Sequence, residues 1–224
     1  MSFIRYFISI FVSPNKVFDD IRDAKVSWWQ PWLMISVVVM IATWLMLPVQ
    51  KAVMDATPEL QQTEQAASMI KVMQLVQVFI APVLVLIVSV IVTGISYVVV
   101  TLVSKEATFK KYLTLVLFAD VVASIGFLAT IIIVRARGLD QVMSPEDLKV
   151  GLSLRPLAPD AGAVVSGLLG SIEFFAVWGF ALIVLGLRRI LGIGMGAAIA
   201  CSIPLWLLYT VFTVVGEVMN QARQ

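Results

Sequence analysis

Two carboxylic acids interrupt long apolar stretches of this sequence, Asp120 in "LFADVVAS" and Glu173 in "GSIEFFAVW". A charge at the centre of a bilayer costs about 2.5–3.5 kcal/mol on insertion scales, so each carboxyl must be protonated, paired or in contact with a wet cavity. Three interpretations are open: hydrogen-bonding groups that join helices, a site that handles protons or cations, or a misplaced helix end. The predicted depths of Asp120 and Glu173 differ by about one helical turn, so the two could share one site.

Hydroxyl groups are the best candidates for partners of these carboxyls. The second apolar stretch carries Ser89, Thr93 and Tyr97 at helical spacing, and Ser124 follows Asp120 by four residues. No Lys or Arg falls within the apolar stretches at these depths, which argues against an ion pair in the membrane. The candidate polar or ion site therefore consists of Asp120, Glu173, Ser89, Thr93, Tyr97 and Ser124.

The residues that most catalytic chemistry needs are missing from the chain. There is no histidine, which removes the commonest general base and metal ligand. The single cysteine, Cys201, excludes an internal disulfide and a cysteine-cluster metal site. No HExxH, P-loop or GxGxxG motif is present. We therefore predict that the protein is not an enzyme and has no catalytic, cofactor-binding or metal-binding residues.

The composition is that of a membrane protein. Of the 224 residues, 60% are hydrophobic and 13% are charged, and this charged fraction is about half that of soluble domains. The net charge of +2 argues against a nucleic-acid partner. The lipid bilayer is the partner that the composition indicates.

Five apolar stretches are long enough to cross a bilayer. They must be helical, because hydrocarbon offers no partner to unpaired backbone groups and the barrel-type alternation is not visible. We predict an all-α polytopic bundle over residues 32–224, with transmembrane helices at about 32–49, 76–103, 112–134, 164–187 and 195–216.

The first 31 residues are predicted to form a cytoplasmic amphipathic segment. Phe3, Ile4, Phe7 and Ile8 suit a short helix in the headgroup boundary, and Pro14 suits the first position of a second helix. The segment lacks the cleavage site of a signal peptide.

Two connecting segments are also predicted to contain helices. Thr57 is the expected N-cap of an amphipathic helix that runs into the second span, and a short helix is expected after Ser144.

The distribution of Lys and Arg predicts the orientation. If the N-terminus is cytoplasmic, nine of the 16 basic residues lie in short inner segments and the other seven in longer outer ones. We therefore expect a cytoplasmic N-terminus and a C-terminus on the outside.

Small residues at four-residue spacing mark places where helices could pack closely. One series precedes Glu173 and the other opens the fifth span. Close packing would bring hydroxyls within reach of the carboxyls, so it favours interhelical hydrogen bonding over an ion site. The predicted packing residues are Gly162, Ser166, Gly170, Gly192 and Gly196.

Three stretches resemble a known family: "FVSPNKVFDDIRDAKVSWWQPW" (11–32), "ATFKKYLTLVLFADVVASI" (107–125) and "SIEFFAVWGFALIVLGLRRILGIGMGAA" (171–198). They are similar to bacterial members of the Yip family, small membrane proteins named after eukaryotic members that interact with Ypt/Rab GTPases. The resemblance covers nearly the whole chain. It implies an all-helical bundle of five spans with a cytoplasmic N-terminus in a bacterial inner (plasma) membrane, and a role related to trafficking or membrane shaping through partner proteins.

Two functional hypotheses follow. The first is a non-enzymatic scaffold or interaction protein that acts through helix packing, its N-terminal segment and contacts with another copy or another membrane protein. The second is a small transporter or channel that uses Asp120 and Glu173 with the hydroxyl face of the second span.

Overall fold

Backbone hydrogen bonding within helices dominates the structure, as an apolar environment requires. The computed structural model describes residues 3–55, 64–139 and 152–221. Their α-helices are α1 (Phe3–Val12), α2 (Pro14–Arg22), α3 (Trp29–Asp55), α4 (Glu64–Val103), α5 (Phe109–Arg137), α6 (Ala163–Ser171), α7 (Phe174–Leu191) and α8 (Met195–Gln221). Thr57 and the predicted helix after Ser144 lie outside the described residues.

Among the residues that the structure describes, five helices are long and apolar enough to cross a membrane, which confirms the predicted fold class. They comprise Trp29–Val53, Val72–Val103, Phe109–Arg137, Phe174–Leu191 and Met195–Asn220. Four are longer than the predicted spans. Helix α3 continues past Pro48 to Asp55, α5 covers Phe109–Arg137, and α8 ends at Gln221. Helix α4 begins at Glu64, in agreement with the amphipathic helix expected to run into the second span.

The prediction of one continuous helix at 164–187 is wrong, because the helix is interrupted at Ile172–Glu173, between α6 and α7. A neighbouring strand-like segment hydrogen-bonds to the broken backbone: Leu154 N–H donates to the Ile172 carbonyl at 3.1 Å. Phe174 N–H donates in turn to the Leu152 carbonyl at 3.0 Å. These two bonds replace the helical hydrogen bonds that the interruption removes. The Ile172 carbonyl and the Phe174 N–H are therefore paired, and the free-energy cost of burying an unpaired backbone group is avoided there.

Helix α5 is the central element of the core. All eight residues from Tyr112 to Ala119 are buried, and α5 contacts α1, α2, α3, α4 and α7. Its opposite end is tied to α3 where Arg135 donates to the Leu45 carbonyl at 3.4 Å, three residues before Pro48, which lies inside that helix.

The N-terminal helices pack against the bundle. Tyr6 on α1 and Phe18 on α2 are almost fully buried, and the Tyr6 ring lies 6.2 Å from the ring of Phe118. Since Phe118 is ten residues into α5, α1 covers the first half of that helix. The Tyr6 hydroxyl donates to Asp20 at 3.0 Å; burial and this carboxylate raise the pKa of Tyr6 to about 12.

A bidentate ion pair joins α2 to the end of α7. Arg189 donates from Nε and Nη2 to the two carboxylate oxygens of Asp19, at 2.8 and 3.0 Å. The hydrogen bonds from Arg189 lower the pKa of Asp19. The pair is exposed, so it orients α2 more than it stabilises the fold.

Helices α6 and α8 approach each other closely at Gly167. A Cβ placed on Gly167 would lie 2.6 Å from the Cα of Val214. We expect Gly167→Ala to destabilise the fold by about 1–3 kcal/mol through overpacking. Gly94→Ala is the matched control, because a Cβ at this mid-helix position of α4 meets no atom within 4 Å. Thermal unfolding of both variants in detergent tests this; equal midpoints would contradict it.

Candidate functional site

Asp120 and Ser89 form a direct contact between two spanning helices. The Ser89 hydroxyl on α4 donates to the Asp120 carboxyl on α5 at 2.6 Å. A second hydrogen bond between these helices runs from the Tyr112 hydroxyl to Ser96 Oγ at 3.2 Å. The two bonds show that α4 and α5 pack antiparallel, and this packing brings Ser89 and Asp120 together. Polar contacts of this kind join helices in an apolar medium.

The other predicted hydroxyl partners do not reach the Asp120 carboxyl. Ser124 donates to the backbone carbonyl of Asp120 at 2.8 Å, and Tyr97 donates to the Ala107 carbonyl at 2.8 Å. Thr93 is buried, and its hydroxyl has no hydrogen-bond partner among the described residues. Of the four, the structure brings only Ser89 to the carboxyl.

Glu173 sits at the break between α6 and α7 rather than inside a helix. It occupies the N-cap position of α7 in an extended conformation, and its backbone pairs with Ser153 in an isolated β-bridge. The carboxylate interacts with the N–H groups of Phe175 and Ala176 without forming a capping hydrogen bond of standard geometry. A negative group at this end is favoured by the helix dipole.

Asp120 and Glu173 line one cavity. It measures about 250 Å³ and lies between α4, α5, α7 and α8. Ser89 shares the wall, and no hydrogen bond between the two carboxyls is present in the described part of the chain. The structure thus places both acidic residues at one site, as their predicted depths allowed. No three His, Cys, Asp or Glu side chains of the described residues are grouped as metal ligands would be.

A buried ion pair that the sequence analysis missed links the 152–162 segment to α8. Arg155 Nη2 lies 3.2 Å from Glu217 Oε2, and Glu217 is only 6% exposed. Ser166 on α6 donates to the other carboxylate oxygen at 3.3 Å. Two features of the sequence could have indicated this ion pair: an acidic residue near the end of the last apolar stretch, and a lone arginine in a proline-rich loop.

The predicted packing residues have different environments. Ser166 hydrogen-bonds to Glu217, and a Cβ at Gly170 would lie 2.6 Å from the Arg155 guanidinium. A Cβ at Gly162, Gly192 or Gly196 would meet no atom within 4 Å.

Further close approaches occur at positions that were not predicted: at Gly126, against Phe175, at Gly167, against Val214, and at Gly186, against Leu115. Periodic spacing alone did not identify these positions, because the partner helix determines which small residue faces a neighbour.

The Arg155–Glu217 pair generates a stability prediction. We expect Glu217→Gln to cost about 3 kcal/mol or more, because it leaves a largely buried guanidinium without its counter-charge. The double variant Arg155→Met/Glu217→Met should recover much of this loss. Asp19→Asn, which breaks the exposed pair with Arg189, should change the unfolding midpoint less. Chemical unfolding in detergent measures all three; a Glu217→Gln variant as stable as the wild type would contradict the role of the pair.

Comparisons with known proteins identify the chain. The model of the Yip1 domain matches residues 8–216. A relative, the membrane protein YknW of Bacillus subtilis (strain 168), is 30% identical over 113 residues, which are 50% of this chain and 46% of the relative. The aligned part thus spans less than half the length of that protein. No solved structure matches the chain. Since the family model covers nearly the whole sequence, the chain belongs to the Yip1 domain family of membrane proteins.

Proposed function

We propose that this protein is a non-enzymatic scaffold that organises the membrane around it. It lies in the inner membrane of a bacterium, with its N-terminus in the cytoplasm and its C-terminus outside. The observation that carries this proposal is that α1 has apolar side chains on two opposite faces. Family membership supports a role in membrane shaping or in interactions with other proteins.

One face of α1 packs against the bundle, and the opposite face is exposed and can enter lipid. Tyr6 and Ile10 are buried against the bundle. Ile4, Ile8 and Val12 are exposed by 70, 54 and 75%. Exposed apolar side chains at this density on one helix mark an interaction surface. The adjoining apolar surface of the spanning helices makes the acyl-chain boundary the natural environment for this face.

Basic side chains surround this end of the bundle, where α5 begins and α7 ends. Three carboxylates of α2 and its C-cap are engaged locally: Asp19 with Arg189, Asp20 with Tyr6, and Asp23 with Lys25. Other basic residues are exposed here, namely Arg5, Lys16, Lys105, Lys110 and Arg188. A positive rim supports both the cytoplasmic orientation and attraction to anionic headgroups.

The polar groups inside the bundle support a structural role over a catalytic one. Ser89–Asp120 and Arg155–Glu217 each join two elements of the fold. The comparisons give no support to the alternative of a small transporter or channel.

The surface of α4 supports interactions with lipid or with another helix. Only 17% of the most apolar window of α4 is buried inside the protein, the smallest share among the five candidate spans. The proposed partners are therefore the bilayer and, along such faces, a second copy of the chain or another membrane protein.

The position of α1 can be tested with spin labels. Replacing the buried Cys201 by Ala gives a background in which Ile8→Cys or Lys16→Cys carries the only label. In vesicles containing anionic lipid, we expect the label at position 8 to be relaxed mainly by oxygen, which concentrates in hydrocarbon. The label at position 16, on an exposed polar side chain of α2, should be relaxed mainly by a water-soluble nickel chelate. Equal nickel accessibility at the two positions would contradict insertion of α1.

The orientation has its own test. In the same background, we expect Arg137→Cys to react with a membrane-impermeant maleimide added to intact cells, and Arg188→Cys to react only after permeabilisation. Both side chains are exposed in the structure, so a difference reports the side of the membrane. Labelling of position 188 from outside would reverse the topology.

A further inference from the structure

The cavity between α4, α5, α7 and α8 has features that a scaffold does not need. Its volume of about 250 Å³ is several times the roughly 30 Å³ share of a water molecule in the liquid. It is slightly below the range of about 300–1,000 Å³ for drug-sized ligands. The cavity therefore suits a small molecule.

The residues with an acidic or basic side chain on the cavity wall are both carboxylic acids. Asp120 and Glu173 both line it, and the lining contains no Lys or Arg. The group that donates a hydrogen bond to Asp120 is the neutral hydroxyl of Ser89. Arg155, which braces the neighbouring α6, forms its ion pair with Glu217 instead. Within the described residues, neither cavity carboxyl has a basic partner, so the site is complementary to a positive charge.

The rest of the wall is rich in aromatic side chains. The Phe180 and Trp206 rings lie 5.2 Å apart in an edge-to-face arrangement, and Tyr209 lies 6.3 Å from Trp206. Aromatic faces attract cations, and the attraction strengthens when the cation is desolvated. The aromatic lining consists of Phe175, Phe180, Trp206, Tyr209 and Phe212.

We propose that this cavity binds a small organic cation, an ammonium group carried on an apolar or aromatic body. The carboxyls of Asp120 and Glu173 hold the positive head, and the aromatic side chains of α7 and α8 surround the body. An organic cation fits better than a metal ion, because Ca²⁺ and Mg²⁺ are surrounded by oxygen ligands or retained waters, whereas most of this wall is aliphatic or aromatic. The side-chain oxygens on the wall come only from Ser89, Asp120, Glu173 and Tyr209. This site is independent of the scaffold role.

Equilibrium dialysis of tritiated benzyltrimethylammonium tests the proposal. The full-length protein is placed in nanodiscs of zwitterionic phosphatidylcholine, which keeps adsorption of the cation to lipid low, and empty nanodiscs give the background. We expect saturable binding to the protein. Unlabelled benzyltrimethylammonium should displace the probe, whereas N,N-dimethylbenzamide, an uncharged molecule of similar size, should not.

Two variants remove one negative charge each. Glu173→Gln and Asp120→Asn should each weaken binding about tenfold or more, because each removes a Coulombic attraction to the cation that is stronger in the low effective dielectric of a protein site than in water. Glu106→Gln makes the same change on an exposed residue between α4 and α5 and should leave binding unchanged. Ala176→Phe keeps both carboxyls but fills the cavity whose wall Ala176 forms, so it should abolish binding.

Three results would overturn the proposal. They are binding no higher than that of empty nanodiscs, unchanged affinity in both charge variants, and unchanged affinity in Ala176→Phe. Size-exclusion profiles verify that each variant is folded, and if Asp120→Asn fails this check, Glu173→Gln and Ala176→Phe decide the question. The spin-label experiment on α1 is unaffected by either outcome, so failure of the cation site and failure of the scaffold role are distinguishable.

Discussion

A polar group surrounded by hydrocarbon must find its partner within the protein, and this constraint explains the main contacts of the structure. The Asp120 carboxyl accepts a hydrogen bond from Ser89 on the next helix. The broken backbone at Ile172 and Phe174 is paired with the 152–154 segment. Each of these solutions joins two elements that are distant in sequence, so satisfying a polar group also assembles the bundle.

Helix α5 is enclosed by other helices over its first half. Spanning helices α3, α4 and α7 cover part of its surface, and the short α1 and α2 cover the rest. The N-terminal segment is therefore a structural part of the bundle as well as a surface directed outward. This dual role follows from α1 being apolar on opposite faces, with Tyr6 turned inward and Ile8 turned outward.

The break before Glu173 shapes the candidate site. Because α7 begins anew at Phe174, Glu173 occupies its N-cap position and lines the cavity that Asp120 also lines. A continuous helix over these residues would have used the first N–H groups of α7 in its own hydrogen bonds. The loop that pairs with the break also carries Arg155, whose bond to Glu217 ties the same region to the last helix.

The sequence by itself determined the class of the protein, the number of spanning helices and the acidic residues worth attention. These follow from local properties: the length of an apolar stretch, the cost of a charge in lipid, and the low density of charged residues. Only the tertiary structure decided that the fourth span is interrupted, that Ser89 rather than Thr93 meets Asp120, and that Arg155 pairs with Glu217. Each of these depends on which faces of separate helices meet. Helical periodicity defines a face but not its neighbour, and in hydrocarbon that neighbour supplies the missing hydrogen bonds.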